Sequence, residues 1–138
     1  METKFNSQIC TTREQSERLL ALGLKKETAD MIHMWHWEFD GYTLLTVPWE
    51  RAHRTTEDIP AWSLHRLWEL LGKIKKYEGE DELLYPRISL VEDDVIFVSP
   101  KSLWSRRNFC SPKGVYENII NCFEELIKEG YFNKEYLV

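Results

Sequence analysis

The chain has 138 residues, near the usual size of one domain, and can bury a core without a metal or disulfide staple. Its formal net charge of −5 works against a general nucleic-acid binder, because neutralising phosphates takes clustered positive charge. No apolar run approaches the roughly 18 residues of a membrane-spanning helix, and Met1-Glu2-Thr3-Lys4-Phe5 lacks the basic-then-apolar pattern of a signal peptide. Cys10, Cys110 and Cys122 are far apart and outside any C-x-x-C spacing, which reads as reduced thiols in a cytoplasmic protein.

A helix is expected from Arg13 to Leu22. Thr11 with Glu14, and Thr12 with Gln15, are both capping-box pairs able to satisfy orphan backbone donors. Gly23 tolerates positive φ, and a Schellman ending brings Leu24 against Leu19. Lys25 to Asp30 reads as a turn or a single helical turn. Met31 to Glu38 and Tyr42 to Val47 flank Phe39-Asp40-Gly41 and predict a hairpin with Asp-Gly at its tip. The first arm also fits a helix starting at Thr28. Strands are favoured because the second arm is rich in β-formers and needs a partner.

Pro48 to Glu57 is a polar connection. Asp58 or Ser63 caps the next helix, with Pro60 tolerated in a first turn. Leu64, Leu67, Trp68 and Leu71 form one stripe, which Gly72 ends. After an acidic loop holding Glu78, Glu80, Asp81 and Glu82, a second hairpin is expected: Arg87 to Val91, a turn at Glu92-Asp93-Asp94, then Val95 to Val98, closed by Pro100. Residues 99–112 read as irregular. Ser111 followed by Pro112 starts the last helix, whose stripe is Val115, Ile119, Phe123 and Leu126, widened by Ile120, Cys122 and Ile127. Gly130 stops it and Tyr131 folds back on Leu126. The expected fold is a single α+β domain over residues 1–138, of order α-ββ-α-ββ-α. Its three helices pack on one antiparallel sheet built from the two hairpins.

No catalytic set assembles from these elements. His33 and His36 would share a face on a helix but lie on opposite faces of a strand, so the strand reading argues against zinc. His53 and His65 stand alone. Cys110, beside Arg106 and Arg107, has the surroundings that lower a thiol's pKa, but it lies in no protease context. A G-x-S-x-G elbow, a phosphate-binding glycine loop and a spaced calcium loop are all missing, and no cofactor is expected. The asymmetry lies between Val95 and Tyr116, where a chain that is acidic overall carries bases and no acid. Lys101, Arg106, Arg107 and Lys113, interleaved with Trp104 and Phe109, are therefore the candidate binding residues. Rings between cations grip an acidic peptide or stack bases. The structural alternative is that the rings anchor a loop to the core while the bases are solvated. Trp68 is expected in the core, Trp35 and Trp37 on one strand face, and Trp49 and Trp62 on either side of the polar connection.

Three stretches carry a resemblance. They are Cys10-Thr11-Thr12-Arg13-Glu14-Gln15-Ser16-Glu17-Arg18-Leu19-Leu20 with its continuation to Met31, Asp58-Ile59-Pro60-Ala61-Trp62-Ser63-Leu64-His65-Arg66-Leu67, and Glu129-Gly130-Tyr131-Phe132-Asn133-Lys134-Glu135-Tyr136-Leu137. Over less than half the chain, they resemble an uncharacterised group of small proteins encoded in prophages and mobile elements of gut bacteria. The resemblance implies a bacterial or phage origin and a cytoplasmic accessory role, and it transfers no catalytic residue. The expectation is a non-enzymatic accessory protein that binds another, unidentified protein. The alternatives are a nucleic-acid-associated protein using the 99–113 loop, and a small enzyme with a site assembled from distant residues, such as His65 with a carboxylate.

Overall fold

The computed structural model describes residues 8–38, 40–52, 55–72, 74–75, 83–89, 94–98, 105–109 and 114–138. Its first helix, α1 (Arg13–Ala21), starts at a capping box. Thr12 Oγ1 accepts from the Gln15 amide at 3.1 Å while Gln15 Oε1 accepts from the Thr12 amide at 3.0 Å. Thr11 is used elsewhere: its hydroxyl lies 2.8 Å from Ser16 Oγ and accepts from the Trp62 amide at 3.1 Å. Gly23, at φ 101, then lets two backbone bonds close the helix, Gly23 N–H to Leu20 O at 3.0 Å and Leu24 N–H to Leu19 O at 3.2 Å. Leu19 and Leu24 are both buried, as the Schellman pattern requires. A 3-10 turn, Lys26–Thr28, follows.

β1 (Met31–His36) and β2 (Gly41–Leu45) form the expected antiparallel hairpin, with Asp40 at φ 51 in its turn. The arm starting at Met31 is therefore strand, not helix. The polar connection holds one helical turn, α2 (Trp49–Ala52), which buries Trp49. Ahead of the next helix lies an unexpected short strand, β3 (Ile59–Ala61), paired with β1 on the side away from β2. Pro60 thus sits in an edge strand, where its missing N–H is tolerated, rather than in a helical first turn. Asp58 is no helix cap. Its carboxylate accepts from the Trp35 amide, the Thr55 amide and the Thr55 hydroxyl, tying the connection to β1.

Ser63 caps α3 (Leu64–Leu71), accepting from the Arg66 amide at 3.2 Å. The buried stripe is Leu67, Leu70 and Leu71, so the inner face is turned toward Leu70. Trp68, expected in the core, lies on the rim at 43% exposure. β4 (Ile74–Lys75), β5 (Leu83–Ser89), β6 (Asp94–Val98) and β7 (Ser105–Phe109) form a second antiparallel sheet in that order. Two expectations change here. A strand occupies part of the stretch read as irregular, and the two hairpins belong to separate sheets among the described residues. β3 takes the edge of β1 that would have joined them, and β5 and β6 recruit β4 and β7 instead.

The last helix, α4 (Val115–Glu129), begins after Gly114 at φ 101 with no side-chain cap. Ser111, expected as the cap, and Pro112 lie outside the described residues. At its other end Gly130 adopts φ 79 and Tyr131 N–H reaches back to Leu126 O at 2.9 Å, as read from the sequence. α4 packs against α1, α3, β6 and β7. The core between them includes Leu19, Ile32, Trp62, Leu67, Ile119 and Phe123, all without solvent exposure. A 3-10 turn, Lys134–Tyr136, leads the chain back to α1: Lys25 N–H donates to Tyr136 O, and Val138 N–H to Gly23 O, both at 2.8 Å. The whole is an α+β arrangement. Among the described residues no helix is long and apolar enough to cross a membrane.

Candidate interaction surface

The alternation along β1 divides its side chains cleanly. Ile32 and Met34 are buried on one face, whereas Met31, His33 and Trp35 occupy the other and stay partly exposed. On that outer face Trp35 pairs with Tyr42 of β2, and His33 with Leu44. The Trp35 and Tyr42 rings meet edge to face at 4.9 Å, and the Arg13 guanidinium lies 4.4 Å from the Tyr42 centroid. His33 Nε2 is 2.9 Å from the Thr11 carbonyl oxygen, which pins the segment before α1 across the same face. Just beyond β1, Trp37 stands 77% exposed beside the hairpin turn. The surface is therefore a ridge of rings and one cation bordered by a strand edge, β2.

That edge differs from the others. A free edge offers a row of N–H and C=O groups to any extended chain, and proteins blunt it with shortness, proline, charge or a bulge. β3 is three residues long and contains Pro60. β4 has two residues. In β7 the register slips opposite Phe97 and Val98, leaving Arg106 as the extra residue of a bulge, with Arg107 next to it. β2, Gly41-Tyr42-Thr43-Leu44-Leu45, is five residues long, uncharged, proline-free and in unbroken register with β1, and Thr43 is exposed.

Of the residues singled out from sequence, Lys101, Trp104, Cys110 and Lys113 lie outside the described residues. Arg106, Arg107 and Phe109 are placed on strand β7 rather than in a loop. His33 and His36 lie on opposite faces of β1 and cannot chelate one ion together. Among the described residues no group of three His, Cys, Asp or Glu side chains is placed to hold a metal. His65 does have a carboxylate neighbour, Glu69 Oε1 at 3.5 Å, but both are exposed on α3 as an i,i+4 pair. Burial, with a smaller contribution from Asp30, pushes the Cys10 thiol up to about 11. Burial likewise drives Cys122 well above its ordinary value, so both are protonated, inert thiols at neutral pH. An open cleft of about 360 Å³ lies where the ends of α3 and α4 meet, lined by Glu69, Leu71, Tyr131 and Tyr136 among others.

The β2 edge was missed from sequence although its composition was in plain view. Edge status depends on which side of β1 takes a third strand, and the strand that does so, β3, is a three-residue piece containing proline. The arrangement is suited to main-chain pairing with an extended segment, with side-chain pockets secondary to backbone hydrogen bonds. Comparison of the chain with protein-family models, with curated proteins and with solved structures gave no match.

Proposed function

We propose that the chain acts by binding another protein, as an accessory factor of a phage or mobile element, and that β2 is where an extended segment of that protein docks. The observation that carries this is the contrast among the sheet edges of the described residues: of these, β2 lacks the devices that discourage pairing at β3, β4 and β7. Strand addition draws affinity from main-chain bonds, and an exposed tryptophan beside the edge supplies the kind of anchor that dominates interface energetics. Trp37 has that position. A second reading assigns nucleic-acid binding to the basic stretch with Lys101, Trp104, Arg106, Arg107, Phe109 and Lys113, supported by the acid-free run from Val95 to Tyr116. It ranks lower because arginines at a bulged edge also serve to block pairing.

The test is affinity capture with tagged protein from a bacterial host, comparing wild type with Thr43→Lys and with the double change Arg106→Ala and Arg107→Ala. A charge at Thr43, the exposed position in the middle of β2, should abolish recovery of the partner while leaving the melting temperature within a degree or two. Capture that survives Thr43→Lys but is lost, steeply and log-linearly with salt, in the arginine variant would replace the proposal with the nucleic-acid reading.

A further inference from the structure

We propose that β2 also pairs with β2 of a second copy of this chain, about a two-fold axis through Thr43, and that this self-pairing covers the edge until another segment displaces it. The inference rests on reading β2 as the docking edge. When identical strands pair antiparallel about a two-fold axis, one residue faces its own copy and the others match outward from it. For Gly41–Leu45 the complete strand is paired only with Thr43 opposite Thr43. Tyr42 then faces the second copy's Leu44, and Gly41 faces its Leu45. Centring the axis on Tyr42 or Leu44 leaves part of the strand without a partner.

The chemistry of that register is self-complementary. Thr–Thr and aromatic–aliphatic pairs across strands are favourable, and like charges placed directly opposite are the usual obstacle. β2 contains no charge. The same operation on β7 would set Arg107 against its own copy, and on β3 would centre on Pro60. Pairing at β2 converts the sheet β2-β1-β3 into a continuous one running β3-β1-β2-β2-β1-β3. On its outer face the Trp35, Tyr42 and Leu44 side chains continue into the same three from the other copy. Antiparallel pairing also brings each hairpin turn, with its exposed Trp37, beside the far end of the other β2 at Leu45 and Thr46. One strand pair with two tryptophans falls short of the roughly 1,000 Å² of a persistent interface. The dimer is therefore reversible, and because each copy hides the other's edge, self-association and partner capture exclude one another.

Sedimentation of the full chain from low-micromolar to near-millimolar concentration tests this, with circular dichroism and thermal melting to confirm that each variant folds. Wild type should pass from monomer to dimer as concentration rises. Thr43→Lys and Thr43→Glu, each alone, place like charges face to face and should weaken association by roughly tenfold or more. Mixed in equal amounts, the two variants should associate again, because Lys then faces Glu. A wild type that stays monomeric throughout overturns the proposal, as does a mixture no more associated than its separate components. A monomeric wild type that still captures a partner dependent on Thr43 overturns self-pairing alone. Rescue by mixing, in a protein whose partner capture ignores Thr43, upholds self-pairing and overturns docking of a foreign segment.

Discussion

Trp62 is wholly buried, yet none of its polar hydrogen is stranded. Its indole N–H donates to Thr28 Oγ1 at 3.0 Å, and that hydroxyl donates onward to Lys25 O at 2.6 Å. Arg66 Nε donates to Thr28 O at 2.7 Å, so a single threonine ties the 3-10 turn to Trp62, the residue after β3, and to α3. Such satisfaction is what permits a large amphipathic ring at the centre of the core. Phe123 is the apolar counterpart, fully buried, with its ring 5.0 Å from that of Phe132. Phe123→Ala should cost about 3–5 kcal/mol by leaving a cavity, a large share of a typical domain's stability. Denaturant unfolding checks this, and a midpoint close to wild type would mean that the site collapses around the smaller residue. The buried titratable groups set a different dependence. Cys10 is pushed up to about 11 by burial and by Asp30. Tyr116 is pushed up to about 12, chiefly by burial and then by Cys10, and burial also raises Cys122. Above about pH 9 the unfolded chain releases protons that the folded chain retains, so the folded state binds more protons there and stability must fall with rising pH. That contribution is complete below pH 9 and is lost as pH rises through about 11 and 12. Unfolding midpoints should decline progressively from pH 9 upward, and Cys10→Ser should flatten the early part of the decline. A profile level to pH 11 would contradict the burial of these groups.

The helices are held at both ends by chemistry that short sequence windows contain. Gly23 is the sharpest case: a Cβ there would touch nothing within 4 Å, so space is not the constraint and φ 101 is. Gly23→Ala should therefore destabilise by about 1–2 kcal/mol through backbone strain alone, with native spectra retained, and thermal melting measures it. A neutral effect would mean that the turn relaxes out of the left-handed region. The same locality explains what was legible. The Thr12–Gln15 box, the endings at Gly23 and Gly130, and the hairpin at Asp40-Gly41 each depend on residues within a few positions of one another. β3 and β7 were not legible, since a three-residue strand containing proline and a strand carrying two arginines are recognised only through the partners that pair with them. The tie between α1 and α4 is equally non-local. Arg18 reaches Glu117, Asn121 and Glu124 at 3.0, 2.6 and 2.8 Å, and Gln15 donates to Glu117 at 3.0 Å. Nothing in either helix sequence announces that pairing, because each reads as an ordinary polar face.

At the scale of the whole molecule, the class α+β was legible and the division into two sheets was not. Two hairpins of ordinary composition can share a sheet or not, and here the choice falls to β3, which closes the inner edge of β1. The surface followed the same logic. The basic stretch stood out by composition, whereas β2 stood out only after every edge could be compared. One further feature acts over a long separation in the chain. Leu24 bridges Leu137, with Lys25 N–H on Tyr136 O and Val138 N–H on Gly23 O. Joining segments so distant gains little enthalpy, through two hydrogen bonds, against the entropy of closing nearly the entire chain into a loop. Such contacts form late on the way to the native state and open early on the way out of it. The clasp between residues 23–25 and 136–138 is thus expected to act as a latch, whose release would free the C-terminal segment while the two sheets and the remaining helices are still in place.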